Sequence, residues 1–169
     1  MEIYNLGFDP ADEVVLFPVY SRKGDVLFYK SRSLVGKHFF NAKDIDKTAA
    51  VYGLYQTLEA KIPDSTEIWL VESEIDALSL VSKGILAWAF MGSDISEKQI
   101  KEMCQSPYRR FVIATDNDEA GRKAARRIKD KLIPLGFRFF NLKWLTDLKD
   151  VNELIQNYGD DFEDYLHRY

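Results

Sequence analysis

A chain of 169 residues, 46% hydrophobic and 30% charged, can bury a sizeable core in one domain or in two subdomains that share one. Its single cysteine excludes an internal disulfide and a cysteine-rich zinc module, and no apolar run nears the length of a membrane span. The formal charge of −4 argues against a generally basic nucleic-acid binder and leaves room for local basic surfaces. The opening MEIYNLGFDP lacks the basic and apolar regions of a signal peptide, so a cytoplasmic protein is expected.

From residue 13 to 32 the pattern reads strand, turn, strand: VVLFPVY, then SRKGD with Gly24 available for positive φ, then VLFYKSRS. A third short strand is predicted over 37–41. Arg22, Lys23, Lys30, Arg32 and Lys37 interleave here with Tyr20, Phe28, Tyr29, Phe39 and Phe40. Such a sheet can grip a single nucleic-acid strand by phosphate contacts and base stacking, or its aromatics can fill a core beneath solvated lysines. A helix capped by Asp44 or Asp46 is predicted over 46–61, ended by Pro63-Asp64-Ser65.

Beyond it the periodicity alternates. Apolar runs IWLV (68–71), LAWAF (86–90), FVIA (111–114) and FRFFNL (137–142) have the length and composition of strands buried on both faces. Between them lie predicted helices over 74–83, stopped by Gly84, from 94–97 to 105, and from 122 onward, with two more over 151–157 and 160–168. In the helix from 122 onward, Ala124, Ala125, Ile128 and Leu132 share one side, while Arg122, Lys123, Arg126, Arg127 and Lys129 fill the other. Gly121 there allows close approach of helix and strand. Gly92 and Ser93, at a strand end, either approach a phosphate or make a simple turn. No internal repeat, low-complexity tract or flexible linker interrupts the chain.

Two acidic clusters, VESEIDALSL (71–80) and ATDNDEAGRKAA (114–125), each follow one of the buried runs. Both are therefore expected at the carboxyl ends of parallel strands, the rim where open α/β sheets bind ligands. Glu72, Asp116 and Asp118 are predicted to converge there. Like charges about 4 Å apart repel by roughly 4 kcal/mol at an effective dielectric near 20, so the cluster needs a counter-charge. The only histidines, His38 and His167, lie outside the clusters, and hard oxygen donors point to Mg²⁺ or Mn²⁺. If 116–118 stays extended, both aspartates leave one face of the strand. Asp76 reads either as a metal-site acid or as part of a cap with Ser73, and Asp150 either as a metal-site acid or as a helix cap. Asp147 is a weaker candidate.

An acidic residue after an apolar strand with Glu-x-x-x-Asp spacing, followed by D-x-D and Ala120-Gly121, resembles the TOPRIM domain of bacterial-type primases, topoisomerases and small ribonucleases. The wording EIDALSLVSKGI and TDNDEAGRKAARRI is most similar to bacterial and phage primases. The resemblance covers roughly 66–150, with weaker primase-like wording upstream in VLFPVYSRKGDVLFYKSRSL, KHFFN and VYGLYQ. It implies an α/β fold, a Rossmann-like parallel sheet flanked by helices, over 65–169, preceded by a small antiparallel β-rich subdomain over 1–64. It also implies Glu72, Asp116 and Asp118 as catalytic metal ligands, Asp76 and Asp150 as further metal-site acids, and Arg32, Lys37, Arg122 and Lys123 as nucleotide or nucleic-acid contacts.

The chain departs from the family twice. Ser73 stands where a glycine is usual, and Asp150-Val151-Asn152 stands where primases often carry Asp-Pro-Asp. The expected function is Mg²⁺-dependent RNA primer synthesis from nucleoside triphosphates on a single-stranded DNA template, by a primase-like enzyme, a fragment of one, or a reduced phage or mobile-element protein. A replicative helicase or a separate zinc-binding module is an expected partner, and a membrane is not. The alternatives are a metal-dependent nuclease on the same domain and a non-catalytic binding module. A topoisomerase is disfavoured, because it would need a separate catalytic-tyrosine domain.

Overall fold

The computed structural model describes residues 4–34, 39–41, 46 and 48–169. Two sheets organise them. The first is antiparallel, in the order β1 (Gly7–Asp9), β2 (Val14–Tyr20), β3 (Val26–Ser33), β4 (Phe39–Asn41). Pro18 lies inside β2 without breaking it, because β1 pairs only as far as Leu16 and the proline's missing N–H leaves no partner wanting there. The β2–β3 turn closes on Gly24 at φ +92°, with the Ser21 hydroxyl accepting from the Lys23 and Asp25 N–H groups.

The second sheet runs β6 (Ala87–Ala89), β5 (Glu67–Val71), β7 (Arg110–Ile113), β8 (Arg138–Trp144), β9 (Leu166–Arg168). Its first four strands are parallel and β9 is antiparallel to β8. Alternation along β5 divides the core in two. Trp69 and Val71 face α2 (Glu74–Ser82), α5 (Val151–Tyr158) and the antiparallel sheet, packing with Ala77, Leu80, Leu154, Phe17, Val19 and Phe28. Ile68 and Leu70 face α3 (Glu97–Cys104) and α4 (Glu119–Leu132), packing with Met103, Phe111, Ile128 and Leu132. A parallel sheet flanked by helices and preceded by an antiparallel sheet is the architecture the sequence predicts, and the two sheets share the first of these cores. No helix among the described residues is long and apolar enough to cross a membrane.

Three segments differ from expectation. The helix predicted over 46–61 is confined to α1 (Leu54–Glu59). Ahead of it, Tyr52 exchanges both backbone hydrogen bonds with Ala89, and Gly53 sits at φ +88° with its α-carbon face so near the Ala87 carbonyl that a Cβ would lie 2.5 Å from the oxygen. The buried Ala50, Val51 and Tyr52 are thus held extended against the sheet rather than coiled. Asp46 caps no helix; its carboxylate accepts from Thr48 and pairs with Lys98, and the alternative cap Asp44 lies outside the described residues. At the other end, Gly159–Tyr165 is a 3-10 helix and Leu166–Arg168 forms β9, where an α-helix over 160–168 is expected. Pairing with β9 covers the edge of β8, and Phe162 is buried against Trp69. Strand β1 carries no pattern strong enough to be predicted.

Candidate active site

β5 and β7 are neighbours, with Leu70 opposite Ile113, so the residues that follow them emerge on one rim. Glu72 is the first residue after β5, and Asp116 follows β7 by three. The Asp116 N–H donates to Glu72 Oε1 at 3.2 Å. Partial burial, then the Asp116 carboxylate, with Asp118 and Asp76 adding to it, push the Glu72 carboxyl up to about 7. Its neighbours thus make the charged form costly, and a cation is the simplest relief.

Asp76 lies on the first turn of α2, buried at 5% exposure. The Ser73 hydroxyl donates to its Oδ2 at 2.5 Å, and the Asn152 N–H donates to its Oδ1 at 3.2 Å. Burial first, with Asp150 and Asp116 adding to it, pushes Asp76 up to about 6 despite those hydrogen bonds. Ser73 itself caps α2 at φ −114°, ψ 155°, an extended conformation open to any residue, so the departure from glycine costs the backbone nothing.

Asp118 is exposed and caps α4, its Oδ1 accepting from the Gly121 N–H at 2.7 Å. α4 starts so close to the preceding turn that a Cβ on Gly121 would fall 2.0 Å from the Asp116 carbonyl oxygen. Only glycine brings the helix this near. Asp150 caps α5, accepting from the Glu153 N–H at 2.8 Å, and so realises its capping role while keeping a carboxylate beside Asp76. Asn152, where the family pattern has a second aspartate, accepts from the Ser79 hydroxyl at 2.8 Å and ties α5 to α2.

A cavity of about 700 Å³ is lined by Glu72, Asp76, Asp116 and Asp150 together with Lys30, Arg32 and Lys149, whereas Asp118 is not part of its lining. Gly92 lines it as well, while Asp147 is exposed outside it. Strand alternation explains the two basic residues of β3. Phe28, Lys30 and Arg32 share its inward face; Phe28 is buried in the core, and the next two side chains reach the cavity. Tyr29, on the outward face, is half exposed. Arg122 lines a separate cavity, and Lys123 is exposed and pairs with Glu119 at 2.6 Å. Lys37 lies outside the described residues.

Sequence reasoning missed three residues. Lys149 Nζ lies 2.9 Å from Asp116 Oδ2, and the hydrogen bond and charge of Asp116 hold its ammonium above the ordinary lysine range. Asn117 donates its backbone N–H to the Lys149 carbonyl (2.6 Å) and its amide to the carbonyls of Thr146 and Leu148 (2.9 and 3.0 Å). It thereby fastens the loop that carries Lys149 to the aspartate turn. Glu74, fully buried at the start of α2, pairs at 2.6 Å with Lys30 on β3 of the antiparallel sheet. Lys-Asp at 149–150 and Asn between two aspartates are the only sequence signals of the first two.

Among the described residues no three His, Cys, Asp or Glu side chains are gathered closely enough to hold a metal ion unaided. The donor chemistry nonetheless fits Mg²⁺ or Mn²⁺, since such ions keep several waters and are bound by one or two carboxylates plus substrate phosphates. Glu72 and Asp116, in contact at adjacent strand ends, are the two carboxylates that would suit such an ion.

Over 150 residues the chain is 27% identical to an uncharacterised protein of Mycoplasma genitalium, covering 88% of this chain and 69% of that one. It is 28% identical over 162 residues to the DNA primase of Pseudomonas aeruginosa, covering 91% of this chain and 24% of the primase. The solved DnaG primase catalytic domain bound to single-stranded DNA superposes with a TM-score of 0.74 at 23% identity, over 92% of this chain and 52% of that one. The chain therefore spans about a quarter of that curated primase and about half of the solved catalytic domain, and the structural likeness is one of fold. Residues 69–155 match the Toprim-like family, and the chain, a Toprim protein most like the catalytic core of bacterial and phage primases, belongs to it.

Proposed function

We propose that the chain acts as a divalent-cation-dependent nucleic-acid enzyme of the primase kind, a nucleotidyltransferase that joins ribonucleotides on a single-stranded DNA template. The observation that carries this reading is one cavity lined by both signs of charge, with Glu72 and Asp116 in contact at adjacent strand ends and Lys30, Arg32 and Lys149 among the same lining. Carboxylates suit a cation, and the basic groups beside them suit the phosphates that cation also touches. Residues 1–64 then form a β-rich subdomain that contributes Lys30 and Arg32 to the cavity of a Toprim domain over 65–169.

Glu72 and Asp116 would hold Mg²⁺ or Mn²⁺, with Asp118, Asp76 and Asp150 near enough to add charge or bind its waters. Bound there, the ion would acidify a primer 3′-hydroxyl and neutralise the pyrophosphate leaving group during in-line attack on the α-phosphate. The chain's own residues do the positioning. Arg32 orients the triphosphate by its fork of donors, and Lys149, released from Asp116, offers its ammonium to a phosphate oxygen. Asn117 and Asp150 keep the loop that carries Lys149 in place. Arg122 and Lys123, at the start of α4, extend the phosphate-binding surface beyond the cavity.

Incubation with Mg²⁺ or Mn²⁺, labelled single-stranded template and nucleoside triphosphates tests the reading. New oligoribonucleotides are expected. A shortened template in their place would show hydrolysis by the same carboxylates, and salt-sensitive binding with neither product would leave a binding module.

A further inference from the structure

The bend that follows β6 holds a glycine that the fold does not require. Met91 enters the left-handed region at φ +58°, is buried, lines the cavity beside Glu72, and donates its N–H to the Glu72 carbonyl at 2.9 Å. A side chain in that conformation is strained, and glycine ordinarily relieves it. Here the glycine stands one position later. Gly92 has no left-handed φ, and a Cβ on it would meet nothing nearer than the Asp94 carbonyl oxygen at 3.9 Å. Neither backbone conformation nor packing therefore asks for glycine at 92, in contrast to Gly53 and Gly121. What the missing side chain does is leave bare main chain on the cavity wall, where Gly92 is exposed.

The main-chain groups of this bend are unevenly engaged. Its carbonyls are fastened to α4: Ser93 O accepts from Arg127 Nη2 at 2.9 Å, Ile95 O accepts from Lys131 Nζ at 3.0 Å, and the Asp94 carboxylate pairs with both cations. Among the described residues, the N–H groups of Gly92 and Ser93 donate to no other group. Successive N–H groups in a turn form a cradle for an anion. They differ in kind from the lysines of the same cavity, since Lys30 is held by Glu74 and Lys149 by Asp116. Amides carry no net charge, so a neighbouring carboxylate cannot capture them in an ion pair. We propose that the bend at 91–93 is a phosphate cradle, in which the N–H groups of Gly92 and Ser93 donate to oxygens of a nucleoside triphosphate whose cation is held at Glu72 and Asp116. The proposal rests on the functional reading above for the cation and the triphosphate, and adds to it the main chain that orients the phosphates.

The test titrates isotope-labelled protein with ATP in the presence of Mg²⁺, without template, while the amide resonances are followed. The Gly92 and Ser93 amide protons should move downfield as they become hydrogen-bonded. Gly92→Val, which sets a branched side chain beside both amides, should weaken ATP binding in calorimetry by about tenfold or more, the scale of a hydrogen bond to a charged group. Gly92→Ala should fold like the parent, because its methyl has room, and should bind ATP with intermediate affinity. Circular dichroism checks that both variants are folded. Stationary Gly92 and Ser93 amides, or parental ATP affinity in the folded variants, would overturn the proposal. An equal fall in Mn²⁺ affinity without nucleotide would overturn it too, by placing the effect on the carboxylates. Shifts produced by a short oligothymidylate and not by ATP would do the same, by making the bend a contact for the polymer. Primer synthesis is read separately, so its failure with the amide shifts intact would sink only the catalytic reading, and its success with the amides unmoved would sink only this one.

Discussion

Lys149 Nζ sits 2.9 Å from Asp116 Oδ2, placing an ammonium from the loop before α5 on the carboxylate at the end of β7. In the proposed function the same carboxylate would help to hold a divalent cation, so Lys149, on a loop anchored by Asn117, would compete with that ion.

Lys149→Met is therefore expected to raise the affinity for Mn²⁺, measured by calorimetry without nucleotide, by roughly two- to fivefold, the scale of a part-exposed ion pair. The same variant should bind nucleoside triphosphate less well in the presence of the ion. Unchanged or weaker Mn²⁺ binding would show that the ammonium does not compete.

The raised carboxyls set a pH dependence. Glu72, at about 7, and Asp76, at about 6, both lie above their ordinary values, so between the ordinary carboxylate range and about pH 7 the folded chain holds more protons than the unfolded one. Their contribution to stability is complete below that range and is lost as pH rises through about 6 to 7. In EDTA the urea midpoint should fall across that window, and Glu72→Gln should flatten the fall. A midpoint that rises with pH, or a slope identical in the variant, would contradict the assignment.

Asp118 has a structural duty separable from any metal duty. Asparagine keeps a cap oxygen, so Asp118→Asn should stay within about 0.5 kcal/mol of the parent, while Asp118→Ala should lose about 1 kcal/mol in denaturant unfolding. Mn²⁺ affinity should fall several-fold in both. Full affinity in the asparagine variant would reduce Asp118 to a cap.

The Lys30–Glu74 pair joins the antiparallel sheet to the first turn of α2, with the glutamate side chain 1% and the lysine side chain 12% exposed. Lys30→Met strands that buried carboxylate and should cost about 3–5 kcal/mol in unfolding free energy. Adding Glu74→Gln should recover much of the loss. If the single variant is as stable as the parent, the pair does not join the antiparallel sheet to α2 energetically.

What was legible in the chain follows from which forces are local. The runs 68–71 and 111–114 are apolar because both faces of β5 and β7 are buried, and an acid after each run is conspicuous, so the meeting of Glu72 with Asp116 could be read in advance. Gly121 could be read for the same reason, as a glycine where helix and strand crowd. Lys149 could not, since its role depends on a contact with a residue on another strand end, and a lysine in a polar loop carries no mark of that. The helix misassigned over 46–53 shows tertiary pairing overriding local pattern, through Tyr52 and Ala89. The strand β9 was hidden likewise, because three residues give periodicity nothing to act on.

In the proposed function Glu72 and Asp116 together hold the cation. Mn²⁺ binding followed by electron paramagnetic resonance in the parent, Glu72→Gln and Asp116→Asn tests it most directly, with circular dichroism to show that all three are folded. Each substitution is expected to weaken Mn²⁺ binding by about tenfold or more, as for a site that has one or two carboxylates to offer. Parental affinity in either folded variant would contradict it.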